Sequence, residues 1–214
     1  MSYLAFSRSW AGYLSRKTGL PAEQETVLAY VIEVLALNLL NIVFTLMLGV
    51  ILGVLPGTAA CLVTAILFRH SAGGAHSNSP WRCAAITITV FPLLALLGSY
   101  FSRLGQEVAD MMSAGALGVG MITMIILAPM DSPNAPIISH LRRRKLKVIS
   151  IAFVMLLTVL ALFLREIRWQ NAGMIQSCIA LTLMWISFML TNWGHKLMSF
   201  VDKIPIKRRK EVVE

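Results

Sequence analysis

Charge is scarce in this chain of 214 residues: 14% are Asp, Glu, Lys or Arg, where a soluble domain carries roughly a quarter. That shortage excludes an ordinary solvated globule. The charges that exist sit between long apolar runs, 57% of the residues are hydrophobic types and the mean hydropathy is +0.73. This is the patterning of membrane-spanning helices. Acidic residues are the scarcer sign, 10 against 19 Lys and Arg, for a formal charge of +9. A basic excess suits nucleic acid, anionic lipid or an acidic protein partner. Nucleic acid is not expected, because no soluble basic face with interleaved aromatics is present. The basic runs flank apolar segments, so anionic lipid headgroups are the expected partner.

Cysteine is also scarce. Cys61, Cys83 and Cys178 make no C-x-x-C pair and no disulfide framework. Cys61 and Cys178 lie inside apolar runs and read as small packing residues. Residues 1–26 lack the compact apolar core and small-residue cleavage site of a signal peptide, and none is expected. Tyr3, Leu4, Phe6, Trp10, Tyr13 and Leu14 interleave with Arg8, Arg16 and Lys17. The segment is either an amphipathic helix in the headgroup plane or an irregular N-terminal tail.

The apolar run from Val27 to Phe68 is too long for one crossing. Gly49, Gly53, Pro56 and Gly57 punctuate it, which predicts two helices joined by a short turn near residues 49–52. Further spans are expected at Cys83–Leu97, Ala114–Ala128, Val148–Leu164 and Met174–Thr191. The expected architecture is an all-α, polytopic membrane helical bundle with about six transmembrane helices over residues 27–195, and a basic cytoplasmic tail over 196–214. Six crossings gather 16 basic residues on one side: Arg8, Arg16, Lys17, Arg69, Arg82, Arg142, Arg143, Arg144, Lys145, Lys147 and six in the tail. Only Arg103, Arg165 and Arg168 fall on the other. The positive-inside rule makes the rich side cytoplasmic, with both termini.

The stretch Phe68–Cys83, FRHSAGGAHSNSPWRC, joins the second and third expected spans. Gly73 and Gly74 allow a tight turn. Ser79 suits an N-cap and Pro80 the first helical position, which places Cys83 in the first turns of a helix. The positive helix end, with Arg69 and Arg82 nearby, favours a thiolate. His76 stands seven residues before Cys83, and a Cys–His pair is the minimum equipment for nucleophilic acyl transfer. The spacing leaves a second reading open, with His76 an interfacial polar residue and Cys83 a helix-packing one. His70, His76 and Cys83 lack a fourth metal ligand or a closely spaced acid, so no metal and no cofactor is expected. His70, His140 and His195 read as interfacial. Downstream, Pro129, Pro133 and Pro136 restrain a connector. Asp131 and Asn134 there either orient His76 or turn the chain, and Arg142–Lys147 offer a seat for anionic lipid or an acidic peptide. Gly115, Gly118 and Gly120 permit close helix approach, in a homodimer or within one subunit.

Arg69, the Gly73-Gly74-Ala75-His76 stretch, Cys83, the Ala128–Pro136 stretch and the basic connector together resemble the AgrB family. These are membrane peptidases that process precursors of cyclic quorum-sensing peptides in Gram-positive bacteria. The resemblance implies a bacterial cell membrane protein in which Cys83 forms a peptidyl thioester and His76 transfers protons. It further implies a small precursor peptide with an amphipathic N-terminal part and an acidic C-terminal tail, and a thiolactone or lactone product. The alternative is a non-enzymatic peptide exporter or membrane scaffold.

Overall fold

A computed structural model describes residues 5–77, 79–130, 137–167 and 169–204. Eight helices make up the described chain: α1 (Ala5–Thr18), α2 (Ala22–Ile51), α3 (Leu55–Ser71), α4 (Pro80–Arg103), α5 (Gln106–Ile126), α6 (His140–Glu166), α7 (Ala172–Met189) and α8 (Asn192–Lys203). No strand occurs among the described residues. The protein is thus an all-α, polytopic membrane bundle. Five helices are long and apolar enough to cross a bilayer: α2 from Glu23, α4, α5, α6 and α7.

Helix α3, the remaining expected span, has 17 residues. It is about 25 Å long at a rise of ~1.5 Å per residue, short of a ~30 Å hydrocarbon core. Its buried face carries Gly57, Thr58, Cys61, Thr64 and Ser71, so much of α3 meets protein instead of lipid. The turn that splits the first apolar run falls at residues 52–54, just beyond the expected position. Val54 N–H donates to the Gly49 carbonyl at 2.9 Å across it. Helical period carried α4, α5 and α6 past the strictly apolar stretches read from sequence, because their polar ends continue the same backbone hydrogen bonding.

The chain divides into two compact units, residues 1–44 and 45–214. In the first, the segment read as amphipathic or irregular is helical over α1. Phe6, Trp10 and Tyr13 line one exposed face, whereas Ser7, Ala11 and Ser15 are buried. The first part of α2 carries the buried Glu33.

In the second unit, α7 is the central element and packs against α3, α4, α5, α6 and α8. The core includes Phe68, Met124, Val154, Leu183 and Leu190. The outward faces stay apolar, as at Leu156, Val159, Leu162 and Phe163 of α6, which is the expected arrangement for helices solvated by lipid. With lipid outside and apolar packing inside, close approach of backbones supplies much of the association. Cys178 of α7 sits where Gly57 and Gly98 leave room. A Cβ at Gly98 would lie 2.5 Å from Cys178 Sγ and 3.1 Å from its backbone nitrogen. Gly98→Ala should therefore destabilise the bundle by about 1–3 kcal/mol, the usual range for overpacking. Gly118→Ala, which meets nothing within 4 Å, should be neutral. Thermal unfolding of the two variants in one detergent makes the comparison, and equal midpoints would contradict this packing. Gly120 abuts Leu183 within the subunit, whereas Gly115 and Gly118 face open space.

A polar knot joins α5, α6 and α7. The buried Gln176 Nε2 donates to Asp110 Oδ1 at 2.8 Å and Gln176 Oε1 accepts from Gln106 Nε2 at 2.8 Å. Arg165 Nε lies 3.4 Å from Asp110 Oδ2. Each buried polar atom in the knot finds a partner, as a low-dielectric interior requires. Helix directions place this knot and Arg103 at one end of the unit. The other end gathers Arg69, Arg82, the start of α6 and all of α8.

Candidate active site

Two ends of one connector carry the pair singled out from sequence. Helix α3 stops at Ser71. Gly73 and Gly74 follow with φ of +75° and +124°, conformations that side chains with a Cβ resist. A Cβ at Gly73 would also sit 2.5 Å from the Met130 carbonyl oxygen. The close approach lets Met130 N–H donate to the Ala72 carbonyl at 2.9 Å. Two residues past Gly73, Ala75 N–H donates to the Met189 carbonyl at 2.9 Å. The connector is thus tied to the end of α5's apolar run and to the end of α7 before it reaches His76.

Helix α4 then starts at Pro80, where a missing N–H costs nothing. Ser79 occupies the N-cap position, but its hydroxyl makes no capping bond. The hydroxyl that works here is Ser77: its oxygen accepts from Ser79 N–H at 3.2 Å and its proton goes to Asp202 Oδ1. Cys83 N–H makes the first helical bond, to the Ser79 carbonyl at 3.0 Å. Cys83 therefore stands at the end of the first turn, where the partial positive charge of the helix start is still felt. Its side chain is half-buried, and it is a free thiol.

His76 is exposed. Partial desolvation nonetheless acts first in lowering its pKa from 6.5 to about 4, with the charges of Arg69 and His195 pushing the same way. The imidazole is therefore neutral at physiological pH and able to accept a proton. Between these two values an unfolded chain binds more protons at this residue than the folded one. Its contribution to stability is consequently complete above pH 6.5 and declines as pH falls toward 4.

Arg69 is exposed at the end of α3 and bears on His76 through its charge. Arg82 has a different task from electrostatic activation of the thiol. Its guanidinium donates to the backbone carbonyls of Asp202 and Ile204 and pairs with the Asp202 carboxylate, Nη1 to Oδ1 at 3.5 Å. The side chains are 16% and 18% exposed, so the pair is shielded enough to matter and its positive charge is largely spent on Asp202.

Helix α8 supplies what sequence reading missed. Hydropathy did not signal a helix of 12 residues with Asn, Gly, His, Lys, Ser and Asp among them. Spacing on a helix could have: His195 and Asp202 are seven apart and share a face. Thr191 Oγ1 caps it, accepting from Gly194 N–H at 3.4 Å, and Met198 packs with Ala75 and Met189. The Nε2 atom of His195 is buried with no hydrogen-bond partner among the described residues. His195, expected at the interface, also bears on His76 through its charge.

Arg142, Arg143, Arg144 and Lys145 are exposed on the first turns of α6, and Lys147 is half-buried. Ser139 caps that helix through Arg142 N–H at 3.4 Å, and no acid stands in its first turn. Cations at a helix start oppose the macrodipole, so this end is suited to an anion. Asp131 and Asn134, the proposed histidine orienters, lie outside the described residues. No group of three His, Cys, Asp or Glu side chains close enough to hold a metal ion occurs among the described residues.

Comparison with known proteins agrees with this architecture. Residues 7–190 match the family described as Accessory gene regulator B. A putative AgrB-like protein of Clostridium perfringens (strain SM101 / Type A) is 23% identical over 193 residues, covering 86% of this chain and 89% of the relative. Accessory gene regulator protein B of Staphylococcus aureus (strain MRSA252) is 29% identical over 157 residues, 73% of this chain and 81% of the relative. No solved structure shows a significant match. With a match running through every helix from α1 to α7, the chain belongs to the AgrB family.

Proposed function

We propose that this protein is a membrane-embedded cysteine endopeptidase that cleaves the precursor of a cyclic autoinducer through a peptidyl thioester on Cys83. Family membership makes it part of accessory-gene-regulator quorum sensing. The finer reading is supported chiefly by one observation: a connector tied down on both sides of His76 leads into the helix turn that bears Cys83, with the imidazole neutral.

A histidine with a pKa of about 4 does not hold a resting thiolate–imidazolium pair. The thiol proton instead moves to His76 as the sulfur attacks the scissile carbonyl, forming the C–S bond and a tetrahedral oxyanion. The imidazolium then gives its proton to the departing amine, the C–N bond breaks, and the C-terminal tail leaves. The N-terminal part remains as a thioester. A cysteine or serine of the precursor can next attack that carbonyl, with its proton passing through His76 to the Cys83 sulfur. The product is a thiolactone or lactone, and the free enzyme returns.

The precursor is a small peptide with an amphipathic N-terminal part and an acidic tail. The cationic start of α6 and Arg69 suit the tail, and anionic lipid suits the same charges. A second copy of the chain has a surface available at Gly115 and Gly118. The site faces the cytoplasm, on the side where the basic residues collect. Single reporter cysteines at positions 105 and 140 of a background with Cys61, Cys83 and Cys178 all replaced should label from outside and inside respectively. The reverse pattern would overturn the sidedness.

Incubating the purified protein with a candidate precursor tests the function. Release of the acidic tail is expected, whereas binding or transport without cleavage would instead favour an exporter or scaffold.

A further inference from the structure

One carboxylate on α8 touches both halves of the candidate pair's support. Ser77, whose hydroxyl donates to Asp202, follows His76 directly, and Arg82, which pairs with Asp202, directly precedes Cys83. We propose that Asp202 is a positioning residue that sets the register of His76 against Cys83, a role that rests on the reading of these two as the catalytic pair.

The contacts favour a clamp over simple neutralisation of Arg82. Neutralisation would need only the ion pair. Ser77 adds a second bond to the same Oδ1, and its oxygen also receives the Ser79 N–H at 3.2 Å. The carboxylate is thereby connected to the residue after the histidine, the N-cap of α4 and the residue before the cysteine. Helix α8 is held at a fixed height against the connector. Ala75 N–H bonds to the Met189 carbonyl, Met198 is buried against Ala75, and Gly194 approaches Met189 so closely that a Cβ would lie 2.7 Å from its Cα.

The opposite face of α8 explains what keeps the strap in place. Trp193, Leu197, Phe200 and Ile204 form one exposed apolar stripe, and Lys196 Nζ sits 4.8 Å over the Trp193 ring. A helix with such a face lies in the membrane interface, so Asp202 is presented to the connector from a support seated in the bilayer. The family match ends at residue 190, before this helix begins.

Asp202→Ala removes the side-chain contacts with Ser77 and Arg82 yet leaves the backbone carbonyls of residues 202 and 204 to Arg82. Ser77→Ala removes a single oxygen and is the variant least able to disturb folding. The experiment uses the full chain in detergent and iodoacetamide as probe. Peptide mapping follows Cys83 across pH 5–9, a test range, while the buried Cys61 and Cys178 serve as internal references. Neutral His76 can take the thiol proton during alkylation, so His76→Ala should lower the rate near pH 6.5 by about tenfold or more. Asp202→Ala and Ser77→Ala should each move the profile toward that of His76→Ala. The double variant should be no slower than Asp202→Ala, because both changes act through one bond network.

A purely structural role would lower the unfolding midpoint and leave the pH profile of the folded fraction in place. Profiles of Asp202→Ala and Ser77→Ala that superimpose on wild type, while His76→Ala differs, would overturn the clamp and spare the catalytic pair. Superposition of His76→Ala on wild type would remove the pair and the clamp with it. If Asp202→Ala fails to accumulate, Ser77→Ala alone decides between these outcomes.

Discussion

Cys83→Ala should abolish tail release and thioester formation, while leaving membrane insertion and precursor binding largely intact. The change removes one half-buried sulfur at the end of the first turn of α4, so little packing is lost with the nucleophile. Cys83→Ser should also be severely impaired, by about a thousandfold or more, because an alcohol is far less ionised than a thiol beside the same base. Cys61→Ala and Cys178→Ala are the controls. Both sulfurs are buried in helix contacts, Cys61 Sγ at 3.7 Å from the Cys178 carbonyl and Cys178 Sγ at 3.9 Å from that of Ala95. Their loss should lower stability and leave the chemistry in place. Quantifying the released tail for correctly inserted variants makes the comparison. Tail release by Cys83→Ala at the wild-type rate would remove the mechanism.

His76→Ala should retain the sulfur and lose its proton acceptor, costing about 10²–10⁴-fold in the rate of tail release. The pH dependence carries more information than the loss itself. Because the folded His76 has its pKa lowered to about 4 from 6.5, it remains in the base form well below neutrality. The acid limb attributable to this residue in kcat/KM should therefore fall near pH 4, and the profile should show no histidine step near 6.5. In His76→Ala the remaining activity should rise steadily with pH as thiolate forms. Arg69→Gln removes the second cause of the shift and should move the acid limb toward neutrality. An acid limb of wild type at the ordinary histidine value, unmoved by Arg69→Gln, would contradict this electrostatic account.

The backbone of the connector and the start of α4 were legible in the sequence, for a physical reason. Membrane helices announce themselves through uninterrupted apolar runs, and the polar FRHSAGGAHSNSPWRC stretch between two such runs has few structural duties that need a histidine, a cysteine and paired glycines. Pro80 at the start of α4 and the positive φ angles of Gly73 and Gly74 follow from local backbone preferences. What escaped was tertiary. Ser79 was expected to cap α4, but Ser77 makes the contact because the Asp202 carboxylate lies on its other side. Arg82 was expected to bring cationic character to the thiol, and its charge is taken up by that same carboxylate. Both outcomes depend on Asp202, 120 residues downstream of Arg82, on α8, a helix whose mixed polarity conceals it from hydropathy. The expected count of about six spans is roughly consistent with five long apolar helices and α3. Helix α3 is short and buries one face while Val63 and Ile66 stay exposed, and a helix partly covered by protein is less bound to the length and apolarity that lipid contact demands.

The central claim is covalent, so its most direct test is the mass of the protein itself during turnover. Wild-type protein mixed with precursor and quenched in acid within the first turnovers should carry an added mass equal to the N-terminal part of the precursor, less one water. Fragmentation should place it on Cys83, hydroxylamine should remove it, and Cys83→Ala should show none. Complete tail release with no adduct at any time, and equal release by Cys83→Ala, would contradict the thioester account.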